Sequence, residues 1–243
     1  MTVLATQFSI SAMNEWADRD RDSRANRRRP VALGLISPQT ALALALVFGL
    51  AALPGALSFG VTSLLLVIAG LGIGWVYDMV LKPTPLSFLP FAVAFPLLLF
   101  WVGTIARRPG ASLLFLFVAG APLAIAIHLA DAIPDRDMDR DVGVYTLAVA
   151  LGRPASEVAT ALGLLVAGGL ILGQFWVYQP RTVALLSLFL AALNTVVVAG
   201  TYLIATLGPS LIPSSIGQLV ARWGLIAWAG VLGLFLAYPI ARG

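Results

Sequence analysis

The sequence predicts an all-α polytopic membrane protein, and three observations carry that prediction. The mean hydropathy is +0.95. Only 11% of the 243 residues are charged, against about 25% in a soluble domain. Several apolar stretches reach the roughly 20 residues that a helix needs to cross a bilayer. They are continuous, whereas barrel strands alternate over segments of about 10 residues. The chain has no cysteine, which removes disulfides, thiolate chemistry and Cys-based metal sites. A net charge of +4 in a soluble protein would suggest nucleic acid. Here loop arginines beside anionic lipid account for it, and no nucleic-acid partner is expected.

Residues 1–13 lack the charged start and long apolar region of a signal peptide. They are too short to span and read as the last turns of a helix. The polar segment 14–37 follows, with Arg19, Arg21, Arg24, Arg27, Arg28 and Arg29, then Pro30 and Gly34 as helix breakers. Ser37 and Pro38 read as an N-cap with proline at the first helical position. Spans are predicted at about 39–57, where Pro54 and Gly55 soften the end, and at 60–81. A loop with Lys82, Pro83 and Pro85 leads to a third span, 86–106, which stops at Arg107-Arg108-Pro109-Gly110. The fourth, 111–130, runs into an acidic segment; the others are 156–176, 182–205 and 219–240. Trp176, Tyr178, Trp223 and Tyr238 lie near predicted ends, where aromatic rings favour the interface. The expectation is seven full transmembrane helices plus an N-terminal helix stub, forming one domain over residues 1–243.

Nine of the eleven carboxylates fall in two short segments, 14–22 (NEWADRDRD) and 131–141 (DAIPDRDMDRD). Four predicted spans separate them, an even number, so both emerge on one side. The loops on that side hold ten basic residues: Arg19, Arg21, Arg24, Arg27, Arg28, Arg29, Lys82, Arg136, Arg140 and Arg153. The opposite loops and the terminus hold four, Arg107, Arg108, Arg181 and Arg242. The positive-inside rule then predicts that both acidic segments face the cytoplasm of a cell-membrane protein.

Within the segments, Asn14, Asp18 and Asp22 recur at i, i+4, i+8, and so do Asp131, Asp135 and Asp139. A four-residue step overshoots a full helical turn by only about 40°, so each trio should line one helix face. Carboxylates this close repel unless cations sit among them. Interleaved Arg19, Arg21, Arg136 and Arg140 could neutralise them. Divalent cations are the other answer: magnesium favours one or two carboxylates plus waters and substrate phosphates. Two opposed aspartate faces, each holding magnesium, would clamp a diphosphate, with Lys82 and Arg29 reaching the remaining oxygens. Solvated juxtamembrane loops of mixed charge are the plain alternative, but the paired spacing favours a site.

The first segment, NEWADRDRDSRANRRRP, resembles the first signature of the UbiA-type intramembrane prenyltransferases, through Asn14, Asp18, Asp22, Arg29, Pro30, Gly34 and Ser37. DAIPDRDMDRDVGVYTLAVALG resembles the second, through Asp131, Asp135, Asp139, Gly143, Thr146 and Leu147, and YDMVLKPTPLS resembles the family's short Tyr/Lys loop. The resemblance covers essentially the whole chain. It implies a nine-helix bundle, of which the chain would lack the first helix and part of the second. It implies magnesium-dependent transfer of a polyprenyl group from an allylic diphosphate to an aromatic or other lipid-precursor acceptor within the membrane. Asn14, Asp18, Asp22, Asp131, Asp135 and Asp139 become metal residues. Asp18, Asp135 and Asp139 become the catalytic carboxylates. Asn14, Arg29, Lys82 and Asp131 become diphosphate contacts. The prenyl tail would lie among the helices, where Gly70, Gly72 and Gly74 allow close packing or leave room.

Other residues are read more plainly. His128 is a helix-packing histidine or a proton acceptor. Asp78 should pair with Lys82 at i+4. Tyr77 reads as an interface anchor rather than a catalytic group. Pro134 should bend the helix end. Asn194 should bond a neighbouring helix. Asp20, Asp137 and Asp141 fall off the acidic faces, and Glu157 reads as a first-turn acid. Three other functions fit the residues less well. A CDP-alcohol phosphotransferase would need Asp-Gly and Ala-Arg pairs that the apolar run before Asp131 lacks. A transporter would carry charges near the bilayer centre. An inactive short homologue is suggested only by the short N-terminus.

Overall fold

The computed structural model describes residues 1–25, 27–107 and 113–178, with isolated helical positions between 189 and 200. The described residues form helices joined by turns, without strands. They are α1 (Thr2–Arg24), α2 (Pro38–Leu57), α3 (Val61–Val76), α4 (Leu89–Ile105), α5 (Leu113–Ala132), α6 (Arg136–Asp141), α7 (Leu147–Leu151) and α8 (Arg153–Tyr178). A π-helical turn, Tyr77–Leu81, extends α3. Four of these stretches are long and apolar enough to cross a membrane: Pro38–Leu57, Val61–Leu81, Phe115–Ala132 and Arg153–Ile171. The predicted third span is the shorter apolar helix Leu89–Ile105. The predicted span 182–205 is described only at isolated positions. The span 219–240, with Trp223 and Tyr238, lies outside the described residues, as do Asn194 and the side chains of Trp176 and Tyr178.

Local chemistry sets the helix ends. The Ser37 side chain accepts from the Thr40 N–H at 3.0 Å, with Pro38 at the first helical position, as predicted. Pro54 sits inside α2, which runs on to Leu57. The Thr146 side chain caps α7. Gly143 and Gly152 turn the chain at φ of 79° and 76°, a region that glycine enters without the cost of a Cβ.

Small residues and a few polar bonds hold the helices together, as expected where lipid is as apolar as the side chains. The inward face of α2 is Ala41, Ala45, Gly49, Ala52 and Ala56. At Gly49 a Cβ would meet Ser9 Oγ at 3.1 Å and the Trp75 ring at 3.3 Å. Ser9 donates to the Ala45 carbonyl at 2.7 Å and accepts from the Trp75 indole at 3.2 Å, tying α1, α2 and α3 together. Trp101 of α4 donates to Ser63 of α3 at 2.8 Å. A second core joins α5 to α8 through Leu116, Leu123, Ala126, Leu164, Ala167 and Ile171. The outer faces keep Leu44, Val47 and Leu50 of α2 and Leu162 and Val166 of α8 exposed, as lipid-facing positions require. Of the three α3 glycines, only Gly74 approaches a neighbour, Ile10; Gly70 and Gly72 have nothing within 4 Å.

At one end of the bundle, the end of α1, the π-turn and the segment 131–146 converge. The Tyr145 N–H donates to the Pro83 carbonyl at 3.1 Å, joining two loops more than sixty positions apart.

Candidate functional site

The first acidic trio lies on one unbroken helix. Asn14, Asp18 and Asp22 all belong to α1, and Asp18 and Asp22 are buried. Asp18 is paired with Arg21 one turn on and with Lys82 from the loop after the π-turn. Lys82 Nζ also donates to Asn14 Oδ1. The predicted Asp78–Lys82 pair gives way to this arrangement. In the π-turn the Lys82 N–H bonds the Tyr77 carbonyl at 2.8 Å, an i to i+5 step, which breaks the i,i+4 register. Lys82 goes to Asn14 and Asp18, and Asp78 Oδ2 is buried without a hydrogen-bond partner.

The second trio corrects the sequence reading. Asp131 is on α5, but α5 ends at Ala132 and the chain turns through Ile133, Pro134 and Asp135 before α6 begins. Pro134 lacks the N–H that would continue the helix. Asp135 is therefore the residue preceding α6, and Asp139 lies within it. The three carboxylates do not share one helix face, yet all three line the same cleft.

That cleft, about 150 Å³, is walled by both segments. Five carboxylates (Asp18, Asp22, Asp131, Asp135, Asp139) and four cations (Arg21, Arg27, Arg29, Lys82) line it, together with Tyr77 and His128. With the histidine neutral, this set is one charge negative. Arg27 crosses the cleft. After α1 ends, the Arg27 N–H donates to the Asp22 carbonyl at 2.9 Å, which holds its side chain beside the last turn. Its Nη1 lies 3.6 Å from Asp22, and its Nη2 reaches Asp139 at 2.9 Å and Asp135 at 3.5 Å. Burial pushes the Asp139 carboxyl above the usual carboxylate range, and the Arg27 guanidinium works against that shift.

Arg27 entered the sequence reading only as a loop arginine. Nothing in a run of six arginines marks the one whose backbone is turned toward Asp22. Arg29, the arginine singled out by sequence, is half-exposed and lies 3.6 Å from Glu15, although it also lines the cleft. His128 is buried, with Nε2 3.0 Å from the Ser87 hydroxyl and its ring beside Phe91, and it also lines the cleft. Ser87 also receives the Leu147 N–H at 3.4 Å, so it joins α5 to the start of α7. The off-face acids behave as expected. Asp20 pairs with Arg19, Asp137 with Arg136 and Arg140, and Asp141 with Arg140, all exposed. The Arg136 hydrogen bond holds the Asp137 carboxyl below its ordinary range. Glu157 pairs with Arg153 at 2.9 Å, one turn into α8.

The donor set fits magnesium. All candidate ligands are hard oxygens, the type this ion takes. Among the described residues no group of three or more acids or histidines is gathered closely enough to hold a metal alone. Magnesium does not need such a cage when phosphate and water complete its shell. The Arg27 guanidinium marks where a cation satisfies Asp22, Asp135 and Asp139 together.

Residues 1–202 match the family model of the UbiA prenyltransferase family. The chain is similar to the 4-hydroxybenzoate octaprenyltransferase of Cupriavidus metallidurans, 33% identical over 182 residues, covering 71% of this chain and 62% of that protein. It is 34% identical over 146 residues to the enzyme of the same name from Ralstonia nicotianae, covering 58% of this chain and 50% of that one. The matches thus span about half to three fifths of these curated relatives. Among solved structures, a UbiA homolog from Archaeoglobus fulgidus bound to GPP and Mg2+ aligns with a TM-score of 0.69 at 17% identity, over 95% of this chain and 87% of that one. A UbiA homolog from Aeropyrum pernix K1, in its apo structure, aligns at 0.64 and 21%, over 99% and 85%. At such identities the likeness is one of fold.

Proposed function

The chain belongs to the UbiA prenyltransferase family, and from that premise we propose that it transfers a polyprenyl group from an allylic prenyl diphosphate to an aromatic or other lipid-precursor acceptor within the membrane. The carrying observation is the cleft where the two acidic segments meet with Lys82, Arg21, Arg27 and Arg29. The names of the curated relatives make 4-hydroxybenzoate the first acceptor to try. The cleft opens to the cytoplasmic side in this reading, on the balance of loop arginines. Seven full transmembrane helices remain the expectation for the whole chain.

The electrostatics of the cleft argue for a divalent cation. A wall set that is already one charge negative would repel a diphosphate, and added cations reverse that sign. Asn14, Asp18, Asp22, Asp131, Asp135 and Asp139 are the residues that would hold magnesium. When bound, it would withdraw charge from the leaving diphosphate. The chain's own part is positional. Lys82 and Arg21 stand beside Asp18 and can turn their donors to phosphate oxygens, the guanidinium by paired bonds. As the allylic C–O bond breaks, these cations take the charge that develops on the diphosphate. An electron-rich carbon or hydroxyl of the acceptor then attacks the allylic carbon, and the C–H or O–H proton it loses passes to water or to the released diphosphate. Tyr77, packed edge-on against Phe91 at 5.1 Å, lines the cleft beside these cations.

The experiment uses membranes carrying the full chain, incubated with labelled prenyl diphosphates of several lengths, magnesium and a panel of aromatic acceptors including 4-hydroxybenzoate. A prenylated acceptor that disappears with a chelator is the expected result. No product from any pair would sink the transferase reading.

A further inference from the structure

We propose that Arg27 is a positioning residue that acts as an internal counter-cation: it holds the two acidic segments together before a divalent cation binds, and the cation must displace it. The inference rests on the reading of the cleft as a metal–diphosphate site. One guanidinium touches three carboxylates from two segments separated by more than a hundred positions, Asp22 on one side and Asp135 and Asp139 on the other. Arg27 thus bridges segment 14–29 and segment 131–141 directly. These are the oxygens that would ligate a metal, so Arg27 and a divalent cation compete for them. A guanidinium 2.9 Å from Asp139 and a divalent ion ~2.1 Å from the same carboxylate would be like charges a few ångströms apart, and their repulsion drives the arginine aside.

Two further features fit a displaceable arginine. Its side chain is 24% exposed, so it has solvent to move into, and its neighbours Asp22 and Asp139 are nearly closed off. The cleft it crosses, about 150 Å³, is smaller than the ~300 Å³ at which small-molecule sites usually begin. Moving a guanidinium out of its centre enlarges it. Once displaced, Arg27 carries five free donors at the mouth of the cleft, suited to the diphosphate that accompanies the metal.

The test uses the full chain in detergent or nanodiscs, stripped of metal, with Mn2+ alone as probe and no prenyl diphosphate. Free Mn2+ is read by electron paramagnetic resonance, and site occupancy is assigned by its loss in Asp135→Asn. Arg27→Gln removes the competitor, so Mn2+ binds at least threefold more tightly than to the unaltered protein. Arg27→Lys, which keeps the charge but loses the fork, falls between. A residue that merely supported the fold would give weaker metal binding on removal, so unchanged or weaker binding in Arg27→Gln overturns the proposal. A second measurement needs no variant. Phenylglyoxal modification of the unaltered protein, mapped by mass spectrometry, should become faster at Arg27 when Mn2+ is added; an unchanged or slower rate overturns the proposal. If no Mn2+ binds to the unaltered protein at the Asp135-dependent site, the metal reading fails and the proposal falls with it. Normal binding that ignores Arg27 defeats the proposal alone.

Discussion

The two acidic segments share the same i, i+4, i+8 spacing and yet are built differently. The first is a rigid arm: Asn14, Asp18 and Asp22 on the continuous helix α1, with Asp18 and Asp22 buried and Asp18 clamped by Arg21 and Lys82. The second is a jointed arm, broken at 133–135, with the Asp135 side chain 49% exposed and Asp139 tucked in after the joint. Equal spacing therefore does not mean equal geometry. Periodicity places residues on one face only while the helix lasts, and Pro134 ends it. The difference also divides the labour. The rigid arm is wired into the fold by its ion pairs, whereas the jointed arm meets the first through Arg27. Mutations should separate the two arms by whether they cost stability along with activity.

The largest effect is expected on activity, and it should be the same in both arms. Asp18→Ala and Asp135→Ala each lower kcat/KM for prenyl transfer by at least about 100-fold, the scale of losing one group that stabilises developing charge. Full activity in Asp135→Ala would refute the site assignment even if the transferase reading stood. Thermal unfolding sharpens the contrast. Asp18→Ala strands Lys82 and Arg21 beside a nearly closed site, and breaking such a pair costs about 3 kcal/mol. Asp135→Ala removes a half-exposed group from a 3.5 Å contact and should cost about 0.5 kcal/mol. Equal losses of stability would erase the distinction between the arms.

The joint itself is tested next. Pro134→Ala supplies the missing N–H and lets α5 continue toward α6, which would swing Asp135 and Asp139 off the cleft. Misplacing a reacting group by about 1 Å can cost up to 100-fold, so kcat should fall roughly 10- to 100-fold with folding intact. Unchanged kcat would show the break to be incidental. Asp137→Asn, on the outer side of the same arm, should change activity less than about twofold, because exposed ion pairs contribute little.

Much of this was legible in the residues, and what was not has physical reasons. The spacing of the aspartates, the Ser37 cap, the bend at Pro134 and the outward Asp20, Asp137 and Asp141 all follow from local rules. Such rules failed where a distant partner outbid a near one. The i,i+4 rule assigned Lys82 to Asp78, but the π-turn altered the register and α1 offered two oxygen acceptors instead. Arg27 was invisible because its role depends on a turn after α1 and on carboxylates more than a hundred positions away. The Ser87–His128 bond, which anchors the loop to α5, has no signature in either residue's neighbourhood.

The smallest expected effect concerns pH and again falls on the jointed arm. Burial raises the Asp139 carboxyl above the ordinary carboxylate range, and Arg27 opposes the rise. A carboxyl whose folded pKa is raised favours the fold in its protonated form. Without metal, its contribution to stability is fully present below the unfolded pKa and is lost as pH rises through the folded one. Metal binding has the opposite slope, because the ligand must be deprotonated. Mn2+ affinity should therefore begin to fall, on acidification, at a higher pH than an ordinary solvated carboxylate would give. Removing the opposing charge in Arg27→Gln should move that onset higher still, while Asp139→Asn should abolish it. An onset that stays put in Arg27→Gln would mean that Asp139 does not feel the guanidinium, and the two arms would then be coupled by position alone.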